Sequence, residues 1–327
     1  MIERLLFLKS RSNDIYENLA LEQYLAQNVQ EGQLILFLWQ NRNCVVIGRN
    51  QNAWKECRTD ILAEEGVLLS RRLSGGGAVY QDMGNLNFTF CSLDKDSDIP
   101  RQHRVILEAC RLLGIDAMIS GRNDLLVGEC KFSGNSFYSH DGRCFHNGTI
   151  LLDVDLKKME RCLSPSDLKL ASKAVDSVRS RVLNLKTIKP EINCAAMCDA
   201  LKKAFSMVCS LDMTEINPDL LDKEDIEEKK RFFGSYHWVY GRNADFPVSI
   251  QRRFSWGAIS VNMEIQSGLC SEVKVFTDAL DHTLAPELEN VIRGARFETA
   301  DLINRIKKAG LPYFEDICAM LQELIRR

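Results

Sequence analysis

The sequence predicts an α+β protein in two parts: a larger mixed-sheet domain over residues 1–245 and a small α+β domain over residues 246–327. Three observations carry this expectation. At 327 residues the chain exceeds one ordinary domain. Its first part intersperses short apolar, strand-like runs with amphipathic helical stretches. The segment SYHWVYGRNADFP (235–247) then gathers aromatics, a glycine and a proline, and beyond it the pattern restarts.

Asp14 and Glu17 have capping-box spacing at the head of a helical repeat of Ile15, Leu19 and Leu25, which predicts a helix from Asp14 to Val29. LILFLW (34–39) and CVVIG (44–48) read as buried strands joined by Gln40–Asn43 as a hairpin-like connection. A short helix around Ile61–Glu65 stops at Gly66, and VLLSRR (67–72) is a strand that runs into three glycines. AVYQD and NLNFTFCSL continue as strands, and HRVILEACRLLGI (103–115) is an amphipathic helix. DLLVG (124–128), CKFSGNSFY (130–138) and FHNGTILLDVDL (145–156) are further strands, divided by Gly, Asn and Asp turns. Cys194–Cys209 reads as helix, and Asp219–Lys230 as a charged, solvated face or loop. RFSWGAISVNMEIQ and CSEVKVFTD alternate as a strand pair about Ser267–Gly268. Three helical patterns, Pro286–Arg296, Thr299–Lys308 and Phe314–Arg327, finish the chain.

An apolar fraction of 45% and a charged fraction of 27% are those of a soluble globular protein. The formal net charge of -3 gives no global basic field, so neither nucleic acid nor an anionic membrane is expected as a partner. The apolar run in MIERLLFLKSRSND is too short for a signal peptide, and no stretch approaches a membrane span. Twelve cysteines are scattered without a CxxC pair, and five histidines show no metal-ligand spacing with them. Free thiols in a reducing, cytoplasmic compartment are the expectation.

The chemistry-bearing stretch is RRLSGGGAVYQDMGN (71–85). It lacks GxxxxGK[ST] and GxGxxG, and a strand rather than a helix follows the glycines, so neither a P-loop nor a dinucleotide loop fits. Without Cβ atoms, consecutive N–H groups can face an anion or an acyl carbonyl at contact distance. Strand alternation sends Arg71 and Arg72 to opposite faces, so one of them points toward such a site. Spacing alone supports equally a wide turn with solvent-facing arginines. SGRNDLLVGECKFSGNSFY adds Arg122, Asn123, Asp124 and Lys131 on adjacent strands. Lys131 reads either as a surface lysine or as a fixed charge that stabilises charge developing in acyl transfer.

RRLSGGGAVYQDMGN, GRNDLLV, KFSG and FHNGTILLDVDL together resemble the lipoate–protein ligase A family. LFLWQNRNCVVIGRNQNAWKEC, SVRSRVLNL (177–185) and RFSWGAISV extend the resemblance over nearly the whole chain. The resemblance implies a mixed-sheet catalytic domain shared with biotin–protein ligases and a small C-terminal domain used in an ATP-dependent step. It implies lipoate and ATP as substrates with Mg²⁺ offsetting the triphosphate charge, and lipoyl-AMP and pyrophosphate as first products. A lysine of a lipoyl domain then attacks the acyl carbon and releases AMP. The implied partners are lipoyl domains of 2-oxoacid dehydrogenase acyltransferase subunits and the glycine-cleavage H protein. Carried over by motif, Arg72 contacts the nucleotide phosphate, and Gly77, Ala78, Val79 and Tyr80 line the adenylate site. Ser74, Gly75 and Gly76 let the lipoyl chain and phosphate approach, and Lys131 is the catalytic contact to both carbonyl and phosphate. Asn123 and Asp124 lie near the nucleotide, with Asp124 a candidate for adenine or metal contact.

One position departs from the resemblance: Gln81 stands where the family usually carries His, and it cannot change protonation near neutral pH. The alternative reading is a lipoyl or octanoyl transferase of the same superfamily that acts without ATP through a cysteine thioester, with Cys130 and Cys144 near the expected site. A eukaryotic-type transferase that accepts ready-made lipoyl-AMP resembles both domains, and a non-catalytic binder is supported only by Gln81. A biotin ligase would carry a GRGRxGR-like loop, which is missing.

Overall fold

A computed structural model describes residues 2–121, 123–163, 181–240, 248–266 and 268–325. The frame is a nine-stranded mixed sheet. Strands β1 (Arg4–Lys9) and β2 (Gln33–Trp39) run parallel, linked by helix α1 (Ile15–Asn28). The chain returns to this sheet through a later run of antiparallel strands. To reach it, the polypeptide first builds a second, three-stranded sheet: β3 (Cys44–Ile47), then short helices α2 (Ala53–Glu56) and α3 (Thr59–Glu64), then β4 (Leu68–Arg71) and β5 (Val79–Gln81). The large sheet resumes with β6 (Asn85–Leu93), helix α4 (Ile99–Leu112), β7 (Met118–Ser120), β8 (Asp124–Val127), β9 (Cys130–His140) and β10 (Arg143–Leu151). Helix α5 (Leu156–Cys162), strand β11 (Arg181–Val182), helix α6 (Cys194–Cys209) and strand β12 (Met213–Glu215) follow. Across the large sheet the order is β12-β1-β2-β6-β10-β9-β8-β7, with β11 paired to β9.

The central strands are buried on both faces, so their side chains alternate between two cores rather than between core and water. Leu36, Leu38, Phe88 and Phe90 pack with Val105 and Ile106 of α4 and Leu201 and Phe205 of α6. Ile35, Phe37 and Trp39 pack on the other face with Ile15 and Leu19 of α1. Asp14 caps α1 by accepting from the N–H groups of Tyr16 and Glu17 at 2.8 and 3.2 Å. Glu17 accepts from Ser12 Oγ and pairs with Lys230.

Three expectations need correction. The Gln40–Asn43 connection is not a hairpin, because both edges of β2 are taken by β1 and β6 and both edges of β3 by β4 and β5. The chain instead crosses from one sheet to the other, with Asn43 at φ +27°. The charged stretch after Asp219 is a solvated face, as one reading expected, but on a capped helix rather than a loop: α7 (Lys223–Phe233) exposes Lys223, Glu224, Glu227, Glu228 and Arg231, while Lys230 pairs with Glu17 and Phe233 is buried against the α1 core. The last sheet has three strands, β13 (Val248–Phe254), β14 (Gly257–Gln266) and β15 (Leu269–Thr277), since a turn divides what reads in sequence as one long strand. Ser267, Arg122, residues 164–180 with the head of SVRSRVLNL, and the GRNADFP half of the expected boundary segment lie outside the described residues.

After the short helix α8 (Tyr236–Tyr240), the third sheet packs under α9 (Leu284–Ile292), α10 (Thr299–Ala309) and α11 (Phe314–Ile325) around its own apolar core of Val261, Met263, Val275, Leu288, Leu302 and Ile317. The two parts meet near the glycine loop.

Arg71, wholly buried, explains how β4 is held. Its guanidinium donates to the carbonyls of Gly48, Arg49 and Gln51 at 3.1, 2.9 and 2.6 Å and to those of Trp238 and Val239 at 3.0 and 2.7 Å. Trp238 Nε1 returns a bond to the Arg71 carbonyl at 2.7 Å. Arg71→Met keeps the stem but removes this donor from all five carbonyls, of which Gly48 O keeps the Gln51 N–H, and is expected to cost at least about 3 kcal/mol. Urea unfolding measures it; a loss within about 0.5 kcal/mol would show the carbonyls find other partners.

Candidate active site

The three glycines join β4 to β5, and their neighbours say what each is for. A Cβ on Gly75 would lie 2.5 Å from the Leu280 carbonyl oxygen and closer still to that of Ala279. The Gly76 N–H donates to Ala279 O at 2.9 Å, and Gly76 has φ +89°, where side chains are strained. Around Gly77 a Cβ would meet nothing within 4 Å. Gly75 is therefore cleared for the segment after β15, Gly76 is required by its φ and by Arg72 Nη2, 2.9 Å from where a Cβ would stand, and a Cβ on Gly77 would meet open space.

Arg72 shapes this loop from below. Nε and Nη2 donate to Gly75 O at 3.1 and 2.6 Å, Nη2 also to Gly77 O at 2.8 Å, and Nη1 to Val46 O at 3.2 Å. Burial pulls its pKa down to about 10, with Glu22 opposing the fall.

The opposite wall is β9. Its pairing with β8 slips between Leu125 and Leu126, so Ser133 faces Leu125 and Lys131 faces Leu126, with Phe132 as the extra residue. One added residue reverses the side-chain parity, and Lys131 joins Gly134 and Ser136 at the cavity instead of facing the other way. Lys131 Nζ pairs with Asp124 Oδ1 at 2.6 Å, both side chains about a quarter exposed (26% and 29%).

Between these walls lies a cavity of about 170 Å³. Of the residues expected from sequence, Arg72, Gly76, Gly77, Ala78, Val79, Asn123 and Lys131 line it. Ser74 and Gly75 lie behind the lining: Ser74 Oγ bonds Ser136 Oγ at 2.9 Å, and Gly75 is packed on residues 279 and 280. Asp124 is turned onto Lys131. The Tyr80 side chain faces the opposite core beside Val45 and Leu69, its hydroxyl on Asn43 Oδ1 at 3.2 Å, because strand alternation directs Val79 and Gln81 inward. Among the described residues no three His, Cys, Asp or Glu side chains gather into a metal site.

Sequence reasoning missed the cavity's inner end. Leu19, Trp39 and Val46 make it apolar, while Asn147, Thr149 and Ser136 give it polar edges. Behind it, Glu22 Oε1 accepts from Thr89 Oγ1 at 2.7 Å and Asn147 Nδ2 at 2.9 Å, and Ser136 Oγ donates to Asn147 Oδ1 at 2.5 Å. Glu22 is 1% exposed, and burial pushes its pKa up to about 7. The signal was available: Glu22 falls three residues after Leu19 on the buried stripe of α1. Gln81 also lines the cavity, in a reciprocal amide pair with Asn87 at 2.9 and 3.2 Å and accepting from Asn41 Nδ2 at 2.6 Å. Its bonds are those of a neutral amide that fixes the wall.

A partly apolar slot flanked by a glycine loop on one side and a lysine on the other suits an acyl chain that ends in a carboxylate, with room for phosphate beside Gly77. Residues 14–206 match the family described as the lipoyl protein ligase A/B catalytic domain, and residues 243–325 match the bacterial lipoate protein ligase C-terminus. The chain belongs to the lipoyl protein ligase A/B family. A lipoate-protein ligase A of Blochmanniella pennsylvanica is 40% identical over 285 residues, 84% of this chain and 83% of its own. The crystal structure of P. falciparum LipL1 in complex with lipoate matches with a TM-score of 0.85 at 26% identity, over 98% of this chain and 99% of that one. A bi-partite lipoate protein ligase from Thermoplasma acidophilum, solved with its E2 lipoyl domain, matches at 0.62 and 28% identity, over 76% of this chain and all (100%) of that one. A lipoate-protein ligase A bound with ATP matches at 0.61 and 26% identity, over 74% of this chain and 99% of that one.

Two outcomes follow from the geometry. The raised Glu22 pKa means the fold prefers the neutral carboxyl: that stability is complete below the ordinary value of 4.5 and is lost as pH rises through about 7. Its full size is roughly 3 kcal/mol. Glu22→Gln should remove this part of the decline between about pH 5 and pH 8 in urea unfolding, and an unchanged decline would contradict the assignment. Gly75→Ala should push residues 279–280 off the loop and raise amide exchange at Gly76, whereas unchanged exchange would show the contact is dispensable.

Proposed function

We propose that this chain is a lipoate–protein ligase that works in two half-reactions. The lipoate carboxylate attacks the α-phosphorus of ATP, forming lipoyl-AMP and releasing pyrophosphate. The ε-amine of a lysine on a lipoyl domain then attacks the acyl carbonyl, an amide forms, a proton is lost from the nitrogen and AMP departs. The observation that carries the reading is the cavity itself, where Gly76, Gly77, Arg72 and Lys131 converge on one slot with an apolar end.

In this reading the acyl chain lies along Leu19, Trp39 and Val46, and the phosphate sits in the open space beside Gly77. Lys131 exchanges Asp124 for the substrate's carboxylate and phosphate oxygens and neutralises charge as it develops. Asn123 fixes the nucleotide side of the slot. Arg72 lends its charge through the loop whose carbonyls it holds, and Tyr80 contributes its backbone only. Packing the acyl group against Leu19, Trp39 and Val46 limits the water that reaches the mixed anhydride. Among the described residues no His, Cys, Asp and Glu cluster forms a metal site, so Mg²⁺ in this scheme accompanies the triphosphate and no step runs through a protein-held ion. The part over 1–245 does the chemistry, and the part over 246–327 positions the loop during adenylation through Ala279 and Leu280.

The ATP-dependent course is supported over a thioester course by the cysteines. Cys130 and Cys144 are absent from the cavity wall, and burial pushes the Cys144 thiol up, away from the thiolate a nucleophile needs. The proposed partners are lipoyl domains of 2-oxoacid dehydrogenase acyltransferase subunits and the glycine-cleavage H protein. Twelve free thiols fit a cytoplasmic setting, and among the described residues no helix is long and apolar enough to cross a membrane.

Lipoate-dependent exchange of labelled pyrophosphate into ATP tests the reading. Wild-type protein should exchange, and Lys131→Ala should be slower by on the order of 100-fold with its melting temperature nearly kept. No exchange by wild type, or full exchange by the variant, would overturn it.

A further inference from the structure

His146 lies on β10 on the face of the sheet away from the cavity, and no step above uses it. It is 1% exposed, with its ring stacked between Phe90 and Phe137 at centroid distances of 5.9 and 4.7 Å. Its Nε2 is 2.8 Å from Asn135 Oδ1, and its Nδ1 is 2.9 Å from Gln102 Oε1. Asn135 in turn holds the corner that leads into β8: its backbone N–H and its Nδ2 both donate to Asn123 O, each at 2.8 Å, and Asn123 Nδ2 donates back to Asn135 O at 3.3 Å. Asn123 lines the cavity, and the next residue, Asp124, pairs with Lys131.

The hydrogen-bond inventory fixes the tautomer. Asn135 commits its Nδ2 to the Asn123 carbonyl, so its Oδ1 must face the ring, and Nε2 must carry the proton. Nδ1 is then an acceptor, and since Gln102 Oε1 stands against it, the pattern requires the Gln102 amide, whose O and N are interchangeable by a flip, to turn over and present its nitrogen. Burial, with His103 close by, holds the ring's pKa well below the usual value and keeps it neutral, as this pattern needs.

We propose that His146 is a positioning residue for the adenylation site: its Nε2–H locks the Asn135 amide, and that amide holds Asn123 and Asp124 in place opposite Lys131. Without that donor Asn135 Oδ1 is left buried without its partner, the amide shifts to recover one, and its bond to the Asn123 carbonyl and the corner loosen. The inference rests on the ligase reading of the cavity, and His146 itself lies outside the cavity lining while Asn135 and Asn123 belong to it.

The test compares His146→Leu with His146→Gln in lipoate-dependent pyrophosphate exchange. Both fill the site, and only Gln can donate to Asn135 Oδ1. The Leu variant should lose at least about tenfold in kcat/KM for ATP, and the Gln variant should stay within about threefold of wild type, because a displaced wall costs rate through misplacement. Equal losses in the two variants would overturn the proposal. Exchange absent from wild type would instead overturn the ligase reading. A second measurement depends on neither activity nor variants: the ¹⁵N shifts of the His146 ring in the wild-type protein. A neutral ring protonated at Nε2 supports the proposal, and an Nδ1–H or doubly protonated ring refutes it.

Discussion

The site depends on one buried guanidinium. Arg72 gathers carbonyls of Gly75 and Gly77 onto its own N–H groups and so bends the glycine loop around a cation. A loop without side chains has no packing of its own to hold it, and its freedom in the unfolded chain must be overcome on folding. Charge-assisted bonds in a dry setting are strong enough to do this. Arg71, one residue earlier and pointing the other way, does the same for the segment at Gly48–Gln51 and for the helix at Trp238. Two consecutive arginines thus brace the two sides of one strand end.

The same loop is pinned from outside by residues 277–282. Thr277 N–H reaches Asn50 O at 2.9 Å, Asn50 Nδ2 reaches His282 O at 2.9 Å, and Gly76 N–H reaches Ala279 O at 2.9 Å. His282 adds a bond to Ser139 O at 3.1 Å and a ring contact with Tyr138. The C-terminal part therefore touches the loop and β9 at once, and the cavity wall is shared between distant stretches of chain.

Much of this was legible in the sequence. Asp14 announced α1, Cys194–Cys209 is helical over the expected bounds, and RRLSGGG with ECKFSG named both walls of the cavity. What was not legible has physical causes. The place of Gly75 depends on contact with residues some two hundred positions away, which no local pattern encodes. Lys131 reaches the cavity through a bulge at Phe132, and a period of two cannot foresee an extra residue. Gln40–Asn43 looks like a turn because a change of sheet and a hairpin use the same polar residues. Glu22 was passed over because a single acid in an apolar stripe gives no spacing to match, although it closes a network of Thr89, Asn147 and Ser136 behind the slot.

The central claim is that glycine loop and lysine hold one acyl phosphate between them. A crystal structure with a non-hydrolysable lipoyl-adenylate analogue tests it most directly. The expected result places the acyl phosphate beside Gly77 with Lys131 Nζ within hydrogen-bond distance and the Lys131–Asp124 pair opened. An analogue bound elsewhere, with that pair intact and the cavity empty, would contradict the account.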